Sequence, residues 1–208
     1  MSPLSLAVGS PTLADQFFAR RLVTDVVLLA AGTALVALCA QLTIPLWPVP
    51  ITAQTLAVIL VGATLGALRG ALSLTVYAAI GALGLPVFSK GSSGIDVLSG
   101  STGGFIIGFI FAAAAAGWLA QRRWDRRLPT ALAALGVAAI VPFVFGLPWL
   151  GYWFGQAGLA NDPSAVLAAG FYPFVIGELL KVFAAAGLLR FAWHRAMRAR
   201  PLHPDDAE

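Results

Sequence analysis

Residues 103–127 read GGFIIGFIFAAAAAGWLAQRRWDRR, in which eighteen apolar or small residues are followed at once by a segment with four arginines. At about 1.5 Å per residue, an eighteen-residue helix is about 27 Å long and crosses most of a roughly 30 Å hydrocarbon layer. Basic residues resist translocation, so a basic cluster directly behind such a helix marks its cytoplasmic end. The stretch therefore predicts a transmembrane helix that ends in the cytoplasm.

The rest of the chain repeats this pattern. Of its 208 residues, 59% are hydrophobic and only 11% are charged, a balance that excludes an ordinary soluble domain. We predict an all-α integral membrane protein, in which a bundle of six transmembrane helices forms one domain at 23–191. A cytoplasmic N-terminal segment at 1–22 precedes it, and a basic then acidic cytoplasmic tail at 192–208 follows. The predicted spans are 26–42, 53–68, 71–85, 103–120, 132–147 and 171–191.

Local features refine these spans. The second and third are short and separated only by Arg69 and Gly70, which predicts a tight helical hairpin. The fifth carries Pro142 near its end, where proline disfavours a continuing helix. The single cysteine, Cys39, lies inside the first span, so no intrachain disulfide is possible and the thiol is expected to pack as a small apolar group. The first twenty residues do not have the order of regions of a signal peptide, and we expect none to be removed.

The basic residues predict the topology. An even number of crossings puts both termini on the side that holds eleven of the 13 lysines and arginines, and that side is the cytoplasm. The charges follow the spans of an inner-membrane protein in a bacterium, so the net charge of +4 indicates the lipid bilayer and no nucleic acid as partner. The eleven residues on the cytoplasmic side are Arg20, Arg21, Arg69, Arg122, Arg123, Arg126, Arg127, Arg190, Arg195, Arg198 and Arg200.

The sequence lacks the motifs of common membrane enzymes and pumps. It has no G-x-x-x-x-G-K-[ST] loop, so the chain is not expected to hydrolyse nucleotides itself. Its two histidines, His194 and His203, fall in the predicted basic cytoplasmic tail, where we expect a solvated or interfacial role rather than a histidine base for intramembrane serine proteolysis. No cluster of histidine, cysteine and carboxylate residues predicts a metal site. We therefore expect neither enzymatic activity nor a cofactor.

The predicted outer loops, 43–52, 86–102 and 148–170, are rich in glycine, proline and aromatic residues. Prolines reduce the entropy lost when a loop becomes ordered, so these loops can form a surface that caps a ligand. The aromatic residues of the third loop are Trp149, Tyr152, Trp153 and Phe154. They could equally form the aromatic belt found at membrane interfaces.

Glu178 and Lys181 are two charges inside the sixth apolar stretch. Their i, i+3 spacing places them on one helical face, and a charge at mid-membrane costs about 2.5–3.5 kcal/mol. Such a cost favours a polar ligand site. A structural ion pair, or a lysine that extends to the interface, is the alternative.

Three aspartates and one strip of small residues suggest structural roles. Asp25 begins the first span, where a carboxylate stabilises the exposed helix N–H groups. Asp125 and Asp162 lie in loops and are expected to be solvated. Small residues four positions apart in the first span create a flat strip for helix packing or for a partner subunit. These pairs are Ala30 with Ala34 and Thr33 with Ala37.

Four motifs in order resemble the BioY family, the biotin-specific S components of energy-coupling factor (ECF) transporters. They are VPITAQTL at 49–56, the segment from Tyr77 to GLPVF at 84–88, GSTGGF at 100–105, and the last-span motif with Pro173, Phe174, Glu178 and Lys181. The resemblance covers about residues 23–190. Two positions depart from it, because the family usually has aspartate at 178 and proline at 101, where this chain has Glu178 and Ser101. Glutamate keeps the carboxylate, and we expect the serine to be tolerated.

The resemblance implies a six-helix S component that takes up biotin from the outside, in a pocket covered by the first and third outer loops. It implies a membrane T component and two cytoplasmic ATPase subunits as partners, with the strip of the first span facing the T component. Some members are reported to work without these partners. An S component for another vitamin, an intramembrane enzyme that uses Glu178 and Lys181, and a purely structural subunit are the alternatives.

The ligand's chemistry assigns roles to the candidate residues. Biotin has a carboxylate tail, a ureido ring with two N–H donors and an apolar thioether ring, so its pocket needs a cation, an acceptor and apolar walls. Glu178 would accept from the ureido group, while Lys181 would balance Glu178 or bind the carboxylate. Lys90 could equally bind the carboxylate. The remaining candidates are Tyr77, Phe88 and Tyr152 as walls, Ser93 and Asp96 as polar contacts, and Gln54 with Thr52 as ties from the first outer loop.

Overall fold

The structure, a computed structural model, describes Leu6 and residues 10–198. Most of these residues are helical, and one pair of short antiparallel strands lies among the helices. In chain order the elements are α1 (Ala14–Phe17), α2 (Leu22–Gln41), β1 (Thr43–Ile44), β2 (Ile51–Thr52), α3 (Gln54–Leu65), α4 (Ala67–Ala82), α5 (Ile95–Ser99), α6 (Gly103–Gln121), α7 (Leu128–Gln156), α8 (Pro163–Gly170) and α9 (Val175–Arg198).

The predicted all-α bundle is confirmed, with six principal helices: α2, α3, α4, α6, α7 and α9. By length and hydropathy, α2, α6, α7 and the segment that holds α8 and α9 can cross a membrane. The apolar helices α3 and α4 have 12 and 16 residues, so they extend only about 18 and 24 Å. They are the two spans expected to be short.

The turn between α3 and α4 lies at Gly66. Its φ of +92° is a conformation that glycine adopts without steric cost. Arg69 and Gly70, which were predicted to form this turn, lie inside the first turns of α4. The predicted helical hairpin is therefore present, but the predicted position of its turn was wrong.

The bundle has two distinct ends. A Cβ at Gly66 would lie 3.0 Å from the Gln121 side chain, so the α3–α4 turn and the α6–α7 connection share one end, here called the arginine end. The connections from α2 to α3, from α4 to α6 and from α7 to α9 lie at the opposite end, here called the cavity end.

Helix α7 extends further than predicted. It has 29 residues, is about 43 Å long and continues through Pro142 and Pro148. Close packing on α6 supports this path, because a Cβ at Gly108 would lie only 2.7 Å from the Cα of Pro142. Consequently the aromatic residues assigned to the third outer loop, Trp149, Tyr152, Trp153 and Phe154, lie on the last turns of a helix.

Helix α6 is the centre of the bundle and contacts α3, α4 and α7. Small residues permit these close contacts, since a Cβ at Gly62 of α3 would lie 2.3 Å from the carbonyl oxygen of Ala113. Around α6 the apolar side chains of five other helices form the core. The second outer loop also has structure that the sequence did not predict, namely α5 and a 3-10 turn at Ser89–Gly91.

Buried charges hold the arginine end together. Arg69, assigned to a loop from the sequence, is 1% exposed and pairs with Asp25, which is fully buried. Its Nη1 also lies 2.7 Å from Asp15 Oδ1, and Arg20 pairs with the same carboxylate from the exposed side. Asp25 is thus structural, as expected, but through an ion pair rather than by capping α2.

Asp15 lies before the first membrane helix. Burial raises the pKa of its carboxyl, but hydrogen bonds from the Thr12 N–H, Arg20 and Arg69 outweigh burial and leave the pKa below its ordinary value of 3.8. The ionised form is therefore favoured in the folded protein.

Asp125 is buried, contrary to the sequence prediction. A 3-10 turn at Trp124–Arg126 packs on α9, where the Trp193 Nε1–H donates to Asp125 Oδ2 at 2.6 Å. Burial raises the pKa of Asp125, although the bond from Trp193 partly opposes this effect. Asp162 is exposed, as expected, and accepts from the Ser164 and Ala165 N–H groups at the start of α8.

The small residues of α2 do not form one strip. Thr33 is buried and donates to the Ser73 carbonyl at 2.9 Å, with Ala37 partly buried on the same side. Ala30 and Ala34 are exposed. Thr33 and Ala37 therefore pack within the chain. Of the two pairs, only Ala30 and Ala34 remain available to a partner. Arg200 and His203, which were predicted to be cytoplasmic, lie outside the described residues.

Candidate functional site

A cavity of about 280 Å³ lies at the cavity end of the bundle. Its walls come from α3, α4, α6, α7 and α9, and residues of the first two predicted outer loops contribute to its lining. The polar residues that line it are Thr52, Gln54, Thr55, Ser89, Lys90, Ser92, Thr102, Glu178 and Lys181. Apolar walls come from Leu46, Val49, Pro50, Tyr77, Phe88, Val97, Phe105, Ile106, Phe109, Pro142, Phe143 and Phe174.

Glu178 is the central polar group of this cavity. It lies in the first turn of α9, where the helix dipole stabilises a negative charge, and it is 8% exposed. Its Oε1 accepts from Lys181 Nζ at 2.7 Å and from Thr55 Oγ1 at 3.1 Å. Its buried Oε2 has no hydrogen-bond partner among the described residues. One carboxylate oxygen is thus held by the protein and the other is free to accept from a ligand.

A hydrogen-bond network ties the first outer loop to the cavity wall. Gln54 Nε2 donates to the Tyr77 hydroxyl at 2.8 Å, and that hydroxyl donates to the Val87 carbonyl at 3.2 Å. Thr52 Oγ1 donates to Gln54 Oε1 at 3.0 Å. Because Tyr77 is fully buried, this network fixes the start of α3 against α4 and the second outer loop.

The second outer loop contributes Phe88 and Lys90. The Phe88 ring packs edge-on against Tyr77, with 5.4 Å between the ring centroids. Lys90 is exposed at the rim of the cavity. Ser101 Oγ connects the second loop to the first by donating to the Pro48 carbonyl at 2.7 Å, and Trp149 Nε1 connects α7 to the second loop by donating to the Gly100 carbonyl at 2.8 Å.

Three sequence candidates do not line this cavity. Ser93 and Asp96 lie beyond the 3-10 turn of the second loop, and Asp96 is exposed. Tyr152 is 63% exposed on the outside of α7, next to Trp149. It points away because α7 continues as a helix through the region that was predicted to fold over the site.

The comparison with known proteins agrees with the geometry. The sequence model of the BioY family matches residues 10–198. The chain belongs to the BioY family.

Two BioY relatives illustrate the extent of the similarity. The biotin transporter BioY2 of Lactococcus lactis is 37% identical over 154 residues, which are 74% of this chain and 81% of the relative. The biotin transporter BioY of Thermotoga maritima is 36% identical over 163 residues, covering 76% of this chain and 90% of the relative. The BioY resemblance drawn from the four motifs is therefore confirmed.

A solved structure supports the fold of this BioY chain. The crystal structure of the S component for biotin from an ECF-type ABC transporter superposes with a TM-score of 0.71. The match covers 86% of this chain and 93% of that chain at 22% identity. The BioY chain is thus a multi-pass membrane protein with an S-component fold, in a family that transports its substrate without catalysis.

Sequence reasoning missed several residues of the BioY cavity, notably Thr55, Ser89 and Phe143. Thr55 contacts Glu178 across 123 positions of the chain, a separation that no local pattern reveals. Thr55 does directly follow Gln54 in the first BioY motif, which was the available signal. Ser101, where the resemblance leads us to expect proline, gains a bond to Pro48 that proline could not donate.

Proposed function

We propose that this BioY-family chain captures biotin at the outer side of the bacterial inner membrane and delivers it as the substrate-binding subunit of an ECF transporter. The observation that carries the proposal is Glu178, which lines a cavity of small-molecule size and whose buried Oε2 has no hydrogen-bond partner among the described residues. A buried acceptor left unpaired costs about 1–3 kcal/mol, which a ligand donor can recover.

The ureido ring of biotin supplies such a donor. In the proposed complex, one ureido N–H donates to Glu178 Oε2, while Lys181 and Thr55 hold Oε1 and so fix the orientation of the carboxylate. Because Lys181 Nζ lies 2.7 Å from Oε1, the ligand would donate to the other oxygen of a carboxylate that is already held in place.

The apolar walls suit the thioether ring and the aliphatic tail. Tyr77, Phe88, Phe109 and Phe143 surround the cavity, and Tyr77 is itself fixed by Gln54. The volume of about 280 Å³ is close to the lower end of the roughly 300–1,000 Å³ range of small-molecule pockets, as expected for a vitamin rather than a larger metabolite.

The transport assembly is also part of the proposal. A membrane T component and two cytoplasmic ATPase subunits would supply the energy, and the exposed Ala30 and Ala34 of α2 would allow a partner helix to approach closely. Both termini would be cytoplasmic, so that the arginine end faces the cytoplasm and the cavity end faces outward.

A titration of labelled biotin against the purified protein in detergent tests the proposal. We expect saturable binding that Glu178→Ala or Lys181→Ala weakens at least tenfold, which is about 1.4 kcal/mol. Tyr152→Phe is the matched control, because Tyr152 lies outside the cavity, and it should leave the affinity unchanged. Absence of biotin binding by folded protein would reject biotin, and direct binding of thiamine or riboflavin would then identify an S component for another vitamin.

A further inference from the structure

The cavity has an uneven distribution of charge. At its enclosed end Glu178 and Lys181 neutralise each other at 2.7 Å. At its rim Lys90 makes no ion pair with any carboxylate of the described residues. The cavity therefore has a neutral, hydrogen-bonding inner end and one uncompensated positive charge at its mouth.

Lys90 is also held in an unfavourable backbone conformation. Its φ of 59° and ψ of 29° are left-handed values that a residue with a Cβ adopts rarely and that glycine adopts freely. A lysine at such a position contributes nothing to the turn that glycine would not provide better. The backbone conformation therefore does not explain a lysine at position 90, and we look to its side chain for a role.

The surrounding loop prevents Lys90 from relaxing. Gln41 of α2 holds both sides of the turn, because its Nε2 donates to the Phe88 carbonyl at 3.1 Å and its Oε1 accepts from the Gly91 N–H at 2.9 Å. Ser89 is bonded to Thr43 through their hydroxyl groups at 2.9 Å. The cation is thus presented at the mouth by a turn that is fixed on both flanks.

From these observations we infer that Lys90 selects the charge of the ligand's tail: the cavity takes a monoanion that enters with its neutral ring inward and its carboxylate at the mouth, beside Lys90. This inference rests on the proposed function. It adds that a tail with a free carboxylate is preferred over the same molecule with a neutral tail, and that this preference depends on Lys90.

The test compares two ligands, biotin and biotinamide, whose tail ends in a neutral amide. Lys90→Gln removes the charge at similar length, so it should weaken biotin binding by about three- to tenfold and change biotinamide binding by twofold or less. Lys90→Arg keeps the charge and should retain the preference for biotin.

Lys90→Gly separates the charge from the backbone. We expect its melting temperature to equal or exceed that of the parent protein, because glycine fits the left-handed turn, while its biotin affinity falls as in Lys90→Gln. Equal losses for both ligands in Lys90→Gln, or no loss for biotin, would overturn the role of Lys90 and leave biotin capture intact. If the parent protein binds neither ligand, the proposed function itself fails.

Discussion

The buried pair of Arg69 and Asp25 yields the largest stability effect that we predict. Arg69 is 1% exposed and Asp25 fully buried, so Arg69→Leu leaves the Asp25 carboxylate without its cation. Breaking a buried ion pair by removing one partner costs about 3–5 kcal/mol. For a protein of this size, that loss lowers the melting temperature by about 6–20 °C.

Arg20→Leu is the matched control. Arg20 and Arg69 both pair with Asp15, but the Arg20 side chain is 34% exposed, and exposed ion pairs contribute about 0–1 kcal/mol. We would follow tryptophan fluorescence on heating in detergent for Arg69→Leu, Arg20→Leu, Asp25→Asn and the double variant Asp25→Asn with Arg69→Leu. The double variant should recover part of the loss, because it leaves no uncompensated charge.

The result that would refute this reasoning is a loss in Arg69→Leu no larger than in Arg20→Leu. Equal melting temperatures would mean that water or lipid headgroups reach Asp25, and that the arginine end is not held by a buried ion pair. A double variant that loses the sum of both single losses would likewise show that the two side chains are not coupled.

Three further predictions use the same measurement of melting temperature. Gly62→Ala should destabilise the protein by about 1–3 kcal/mol, because the added Cβ would meet the backbone of α6. Gly136→Ala is the control and should be neutral or stabilising, because the space around Gly136 is open. Equal effects of the two substitutions would contradict the close packing of α3 on α6. Trp193→Phe should cost about 1–3 kcal/mol, since it removes the hydrogen bond to the buried Asp125 carboxylate, and an unchanged melting temperature would show that Asp125 is solvated. Folding lowers the pKa of Asp15, so the stability that its carboxylate contributes is present above about pH 3.8 and is lost as the pH falls through the lower folded pKa. The difference in melting temperature between the parent protein and Asp15→Asn should therefore shrink in that pH range. A difference that grows there would show that folding raises the pKa of Asp15.

The candidate site shows how far local patterns reach. Glu178 and Lys181 were identified because two charges in an apolar stretch need a reason, and the structure places both in the cavity. Thr55, which bonds to Glu178, carries no such signal, since a threonine in an apolar helix costs little. Tyr152 was placed in the predicted loop 148–170, whereas packing on α6 keeps α7 helical to Gln156.

Arg69 illustrates the same limit at the other end of the bundle. An arginine next to a glycine between two apolar stretches fits a cytoplasmic turn, and the positive-inside rule uses it in that way. The real turn lies three residues earlier, at Gly66, and the side chain enters the bundle because Asp15 and Asp25 are there to receive it. No property of the local sequence distinguishes these two placements.

The sequence by itself determined the membrane class, the six apolar stretches and the BioY family, and it predicts the orientation. These follow from hydropathy, from charge and from motif order, which are properties that are read along the chain. The tertiary structure alone decided which charges pair, where α7 ends, and which side chains meet in the cavity. Those outcomes depend on contacts between residues far apart in the chain, such as Thr55 with Glu178 and Arg69 with Asp25, where burial removes water and leaves each polar group to find its partner in the fold.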